Sequence, residues 1–257
     1  MADIKPQVYK DARPAEYFTR FHEHIRAHRP GWIYEAVRVI LTVPTLLLYR
    51  TRALGSSNVP ADGPAIVAPN HFSNMDHFFA AVYLRRKMQF MAKSQLFGNP
   101  ILNYIFRIGG VFPVRRGHHD EEAFKTAHAV IDRGGCVLMY CEGGRSRSGG
   151  LGEPRPGVGR LALETGVPVV PVAIHGSAGV RKWRKLVFPK VTIQYGEPIV
   201  FERVEGGPTR EQAQAASERV FVSVKEMYSA LEEQGRSGVL RSIKHARIPV
   251  RGPEAGV

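Results

Sequence analysis

The sequence has few cysteines, no long uninterrupted apolar run and a shortage of acidic side chains. Its two cysteines, Cys136 and Cys141, lie five positions apart in an apolar stretch. So low a count excludes a disulfide-stapled secreted scaffold, and we predict two reduced core thiols in a reducing compartment. The polar N-terminus from Met1 to Lys10 lacks the apolar core of a secretory signal.

The most apolar long segment, Trp32 to Arg50, is interrupted by threonines and by Pro44. Its apolar part is shorter than the roughly 20 residues that a membrane-spanning helix needs. Polar positions recur every three to four residues, which predicts an amphipathic helix kinked at Pro44. Two interpretations stay open: a helix packed on the core, or a helix in the membrane interface, as Trp32 and the flanking arginines favour.

The shortage of acidic residues leaves a strongly basic chain. Lysine and arginine number 36 against 23 aspartates and glutamates, for a formal net charge of +13. Such a surface attracts nucleic acid, anionic lipid headgroups or phosphorylated substrates. The basic residues are not confined to a tail or to a lysine-rich run, and neither zinc-finger spacing nor an RNA-binding aromatic strand accompanies them. We therefore expect a phosphate-bearing lipid and an anionic membrane surface as partners, and no nucleic acid.

From residue 51 onward, short apolar runs alternate with helical patterns. This alternation predicts an α/β fold: a mainly parallel mixed sheet flanked by helices, preceded by an N-terminal amphipathic helical segment. We divide the chain into a membrane-associating segment (1–50), a main domain (51–234) and a basic flexible tail (235–257). Strands are predicted at 52–56, 65–68, 88–91, 111–114, 136–141, 169–174 and 191–195, and helices at 77–85, 100–107, 121–133, 158–164 and 210–233.

A histidine and an aspartate five positions apart follow the predicted strand at 65–68. Residues 70–76 read NHFSNMD, and a helix restarting near Asp76 puts both side chains at the carboxyl edge of a strand. Open α/β sheets carry their chemistry at that edge. An imidazole held by a carboxylate can take a proton from an alcohol. Because a short motif also occurs by chance, the His71–Asp76 pair needs companions.

Three further blocks follow in order: GGVFPVR at 109–115, EGGRSR at 142–147 and VPVVPV at 167–172. Together the four blocks resemble those of the glycerolipid acyltransferase family, whose best known members are the 1-acyl-sn-glycerol-3-phosphate (lysophosphatidate) acyltransferases. The resemblance extends over about 55–196, a little over half of the chain. The chain has Tyr140-Cys141 where Phe-Pro is common in the family, and Gly144 where Thr is common.

The resemblance implies an O-acyltransferase of phospholipid biosynthesis. It would move a fatty acyl group from acyl-CoA or acyl-carrier protein to the hydroxyl of lysophosphatidate, forming phosphatidate. His71 would be the general base and Asp76 the group that orients it. The acyl donor is a substrate, so neither a cofactor nor a metal is expected. Substrate contacts are assigned to Lys93, Arg115, Glu142, Gly143, Arg145 and Pro171, with Arg116 and Arg147 as solvated neighbours.

Two alternatives stay open at this point. The first keeps the chemistry and changes the acceptor to another lysolipid or a glycolipid. The second is a non-catalytic basic protein that binds lipid or nucleic acid, although such a binder has no need of His71 paired with Asp76. For the enzyme, we expect a peripheral or monotopic position on the cytoplasmic face of the membrane.

Overall fold

The protein is described here by a computed structural model covering residues 11–116, 120–146, 150–180 and 186–246. Arg147 and the end of the predicted tail, 247–257, lie outside the described residues. The strands are β1 (Arg52–Leu54), β2 (Ala65–Pro69), β3 (Gln89–Lys93), β4 (Val111–Val114), β5 (Cys136–Leu138), β6 (Val169–His175) and β7 (Thr192–Tyr195). The α-helices are α1 (Thr19–Ala27), α2 (Trp32–Leu47), α3 (Asp76–Val82), α4 (Pro100–Gly109), α5 (Glu121–Asp132), α6 (Gly157–Thr165) and α7 (Arg210–Ala246).

The strands form one seven-stranded sheet in the order β1-β7-β6-β2-β5-β3-β4. Every neighbouring pair is parallel except β6 and β7, which run antiparallel. Strand β2 lies at the centre, and all five of its residues are buried. A parallel strand covered on both faces needs the unbroken apolar run that 65–69 supplies. The predicted α/β fold with a mainly parallel mixed sheet is confirmed.

Helices cover both faces of the sheet. On one face, Phe79 of α3 packs with Tyr34 of α2 and with Val67 of β2. On the other face, Leu161 of α6 and Phe221 of α7 join a second apolar cluster with α5. The two layers leave the carboxyl ends of β2, β5, β3 and β4 together at one edge of the sheet, where the loops that carry the motifs emerge.

Helix α2 packs on the core with one face and exposes apolar side chains on the other. Tyr34 and Thr45 are buried, whereas Ile40 and Leu47 are 68% and 72% exposed. The polar side of the predicted helix therefore faces inward near its end, and the Thr45 hydroxyl donates to a carbonyl one turn back. Among the described residues, the structure has no helix long and apolar enough to cross a bilayer.

The prediction of a flexible tail from residue 235 is wrong for residues 235–246. Helix α7 continues to Ala246 across a kink at Gly235, which adopts a left-handed φ of 63°. Beyond the kink, the Arg236 guanidinium donates to the carbonyls of Arg50 and Val191. Glycine is common just past the end of a helix, so Gly235 predicts a helix end from sequence alone. In the structure the chain continues as a helix after this residue.

Candidate active site

The loop after β2 is fixed by Asn70, the first residue of the NHFSNMD motif. Its side-chain Nδ2 donates to the carbonyl of Ile174 at 3.2 Å, and its Oδ1 accepts from the Ile174 N–H at 2.7 Å. The carboxamide thus extends the pairing of β2 with β6 by one step. This pairing sets the direction in which the chain leaves the sheet, and so the position of His71.

His71 and Asp76 form the predicted pair. The imidazole Nδ1 lies 2.9 Å from the Asp76 Oδ2, and the Asp76 carboxyl is fully buried. That same oxygen accepts from the N–H groups of Phe72 and Ser73, each at 2.7 Å. The carboxylate therefore closes the loop and orients the ring at once. With Nδ1 engaged by Asp76, Nε2 is the nitrogen that can accept a proton.

The environment keeps the His71 imidazole neutral. Burial lowers its pKa below the ordinary 6.5, and the Asp76 hydrogen bond and charge oppose that effect. The charges of Arg116 and Arg145 lower the pKa further. A neutral imidazole beside a buried carboxylate has the protonation state that a general base requires near neutral pH.

Tyr140 stacks on the imidazole of His71. The two ring centroids are 3.7 Å apart and the planes are 14° from parallel. The stack covers one face of the imidazole, whereas Asp76 contacts its edge at Nδ1. None of the four blocks includes Tyr140; the only sign of it in the sequence is the change from the common phenylalanine.

Glu142 holds two loops together through their backbones. Its Oε2 accepts from the His71 N–H and its Oε1 from the Gly152 N–H, each at 2.6 Å. Burial raises the pKa of Glu142 to about 7, while these two hydrogen bonds act in the opposite direction. Because both carboxylate oxygens bind backbone, the structure gives Glu142 a positioning role. The residue also lines the adjoining arginine pocket, and its predicted substrate contact stays a prediction.

An arginine pocket of about 540 Å³ adjoins the pair. The loop that forms it touches the motif directly, since the Ser146 N–H donates to the His71 carbonyl at 2.8 Å. Guanidinium groups offer paired, permanently charged donors that match phosphate. The pocket lining includes the predicted Glu142, Gly143 and Arg145, together with Arg116, Arg155 and Glu153.

Arg115 and Arg116 exchange the roles that the sequence suggested. Arg116 lines the pocket, whereas Arg115 turns to the N-terminal segment, where its Nη2 donates to the Arg13 carbonyl at 3.2 Å. The backbone N–H of Arg115 donates to Asp120 at 2.6 Å. Strand β4 ends at Val114 and the chain turns at Arg116, so the two adjacent arginine side chains contact different parts of the protein.

The two remaining predicted residues lie in different places. Lys93 ends β3 and is half-buried at the motif-bearing edge of the sheet, opposite Val114 of β4. Pro171 lies inside β6, buried, with its carbonyl accepting from the Gly196 N–H at 2.8 Å. Pro171 therefore shapes the sheet, while Lys93 has the position of a side chain at the edge of the site.

An apolar cavity of about 230 Å³ lies beside α3, the helix that begins at Asp76, and the motifs do not reveal it. Helices α2, α3 and α4 enclose it against β3 and β4. His77, next in the chain to Asp76, is part of its wall, and burial lowers the pKa of His77 to about 4. The wall is otherwise mostly apolar, with Ile33, Val37, Leu41, Phe78, Ile105 and Phe106 among its residues.

A buried histidine–aspartate pair defines a site that can activate a hydroxyl of an anionic amphiphile. The loop that binds the His71 backbone forms the arginine pocket, and the helix that starts at Asp76 forms part of the apolar cavity wall. Residues 50–175, about half of the chain, match the model of the Acyltransferase family. Over these residues the chain is similar to that acyltransferase family.

Several relatives carry the same name. A chloroplastic 1-acyl-sn-glycerol-3-phosphate acyltransferase of Brassica napus is 30% identical over 51% of this chain and 39% of its own length. The 1-acyl-sn-glycerol-3-phosphate acyltransferase of Bacillus subtilis is 26% identical over 77% of this chain and 96% of its own length. The chain spans about two fifths of the length of the two chloroplastic relatives, from Brassica napus and Arabidopsis thaliana.

A solved structure shares the fold. The 1-acyl-sn-glycerophosphate acyltransferase PlsC from Thermotoga maritima superposes with a TM-score of 0.54 at 23% identity. The match covers 82% of this chain and 88% of the other. At this identity the likeness establishes the architecture of sheet and helices.

Proposed function

We propose that the chain is a 1-acyl-sn-glycerol-3-phosphate O-acyltransferase of phospholipid biosynthesis. It transfers a fatty acyl group from acyl-CoA or acyl-carrier protein to the hydroxyl of lysophosphatidate, giving phosphatidate. The observation that carries the proposal is the His71–Asp76 pair, 2.9 Å apart, beside an arginine pocket. The relatives named for the same reaction support it.

His71 acts as the general base. Its Nε2 takes the proton of the acceptor hydroxyl while the oxygen adds to the thioester carbonyl carbon. The carbon–sulfur bond then breaks, and the imidazolium returns its proton to the leaving thiolate. Asp76 stabilises the imidazolium between these steps. A positioned base of this kind contributes about 10²–10⁴-fold, and the alignment of two bound substrates supplies more.

The arginine pocket and the apolar cavity suit the polar and apolar ends of the reacting lipids. The arginine pocket, with Arg116, Arg145 and Arg155 in its lining, suits the acceptor phosphate. The apolar cavity suits an acyl chain, because burying a methylene group there is favourable by about 0.8 kcal/mol. The reacting hydroxyl and the thioester then meet at His71, and residues 51–234 serve as the acyltransferase domain.

The N-terminal segment, residues 1–50, places the domain on the membrane. Apolar side chains of α2 are exposed, and α4 adds Ile101 and Tyr104, 70% and 48% exposed. Helices α2 and α4 contact each other, so both faces belong to one side of the molecule. The whole chain has a net charge of +13, which attracts it to anionic lipids. We propose that this apolar surface attaches the protein peripherally to the cytoplasmic leaflet of the membrane.

Turnover with a panel of acceptors tests the proposed function. Purified protein is incubated with radiolabelled acyl-CoA and lysophosphatidate, or with an uncharged monoacylglycerol or lysophosphatidylcholine, in mixed micelles. We expect labelled phosphatidate as the main product. Faster acylation of either other acceptor would move the proposal to a different lysolipid, and no acylation of any acceptor would overturn it.

A further inference from the structure

The hydroxyl of Tyr140 lies in an unusual position beside the imidazole. Its oxygen is buried and has no hydrogen-bond partner within the described part of the chain. Burying a hydroxyl without a partner is unfavourable. Buried polar groups are nearly always paired, so an unpaired donor stacked on the general base is a group that a bound substrate can engage.

The packing of Tyr140 places its ring against the general base. The ring packs against the apolar cluster that includes Tyr34, Ala81 and Phe90, and these three residues also line the cavity. Its other neighbour is the His71 ring, stacked at 3.7 Å. Tyr140 therefore contacts the general base directly, and the thioester carbonyl must come close to that base when the acceptor oxygen attacks it.

The hydroxyl is available as a donor. Burial raises the pKa of Tyr140 well above its ordinary value of 10, and the charge of Asp76 adds to the effect, although Arg116 opposes it. The group stays protonated at neutral pH and can donate to an oxygen. The acceptor phosphate has the arginine pocket, whereas the thioester carbonyl has no other donor assigned to it.

The inference rests on the proposed function: we propose that the Tyr140 hydroxyl donates a hydrogen bond to the thioester carbonyl oxygen while the acceptor oxygen adds to the carbon. The new carbon–oxygen bond forms, negative charge collects on the carbonyl oxygen, and the carbon–sulfur bond breaks as the carbonyl reforms. The proton passes from the acceptor hydroxyl to His71 and on to the thiolate. A donor in a site shielded from water stabilises such a charge strongly.

Tyr140→Phe removes the hydroxyl and keeps the stacked ring. We expect kcat to fall roughly ten- to a hundredfold with both KM values unchanged. We expect Tm to stay the same or rise, because the lost hydroxyl has no protein partner. The matched control is Tyr195→Phe, which removes a buried hydroxyl that donates to the Ala80 carbonyl at 2.8 Å; it should lower Tm and keep kcat.

A substrate analogue separates catalysis from packing. An S-alkyl-CoA thioether has no carbonyl oxygen, so it should inhibit the wild type and Tyr140→Phe with the same Ki. A kcat of Tyr140→Phe within twofold of the wild type would overturn the inference. A fall in kcat accompanied by an equal rise in the thioether Ki, or by a lower Tm, would also overturn it, because packing would then explain the loss. Absence of turnover in the wild type would instead overturn the proposed function itself.

Discussion

The two adjacent arginines after β4 give a matched pair of variants. Arg116→Ala removes a guanidinium from the pocket proposed for the acceptor phosphate. A hydrogen bond to a charged group contributes about 1.5–3 kcal/mol, and each 1.4 kcal/mol is tenfold in affinity. We therefore expect the KM for lysophosphatidate to rise roughly ten- to a hundredfold. Arg115→Ala should leave that KM nearly unchanged, since its guanidinium binds the Arg13 carbonyl.

The assay varies lysophosphatidate at saturating acyl-CoA for the wild type and both variants. The KM for acyl-CoA and the thermal midpoint serve as controls, because loss of the Arg115 contact affects stability first. An uncharged monoacylglycerol acceptor should show little difference between the wild type and Arg116→Ala. The reasoning is refuted if Arg115→Ala raises the lysophosphatidate KM and Arg116→Ala does not.

Three further predictions concern the membrane, the base and the packing of the helices. Replacing Leu47 and Leu48 with aspartate should release the protein from anionic vesicles in flotation while activity on detergent-dispersed substrate persists; unchanged flotation would place the anchor elsewhere. The fall of kcat/KM at acidic pH should have its midpoint below pH 6.5, because burial lowers the pKa of His71. In Asp76→Asn this midpoint should move to lower pH, because the Asp76 carboxylate raises the pKa of His71. A midpoint that moves to higher pH would contradict this. Gly159→Ala should cost about 3 kcal/mol or more and lower Tm by roughly 6–12 °C, because its Cβ would lie 2.0 Å from a backbone oxygen of α7; an unchanged Tm would contradict the close approach.

Apolar patterning predicts the sheet well. The strand at 111–114 has its predicted bounds, and β2 extends one residue past its predicted end. These runs are bounded by glycine or by polar motif residues, and their neighbours in the sheet require apolar side chains on both faces. The same patterning predicts the bounds of α5 and α6 to within a residue or two.

Features that depend on side-chain direction are harder to predict. The order of Arg115 and Arg116 gives no sign of which faces the pocket, because the turn after β4 is fixed by Asp120, a residue outside the motif. Glu142 likewise belongs to a motif block but binds the backbone of two loops. The stacking of Tyr140 on His71 joins residues far apart in the chain, so local sequence cannot reveal it.

The direction of α2 is a similar case. Its apolar residues predict an amphipathic helix, but they do not say which side faces the protein. Thr45 is buried and Leu47 is exposed because α3 and α4 already occupy the inner side of the helix. The exposed apolar face is therefore a product of the tertiary fold.

The general base is the central claim, and turnover of His71→Ala tests it most directly. Acyl transfer from acyl-CoA to lysophosphatidate is measured for the wild type, His71→Ala and the control His128→Ala, whose imidazole lies on α5 and pairs with Glu164. We predict a fall in kcat of about 10²–10⁴-fold for His71→Ala, with the thermal midpoint and the lysophosphatidate KM close to wild type, and full activity for the control. A folded His71→Ala protein that keeps more than a few per cent of wild-type turnover would contradict the account.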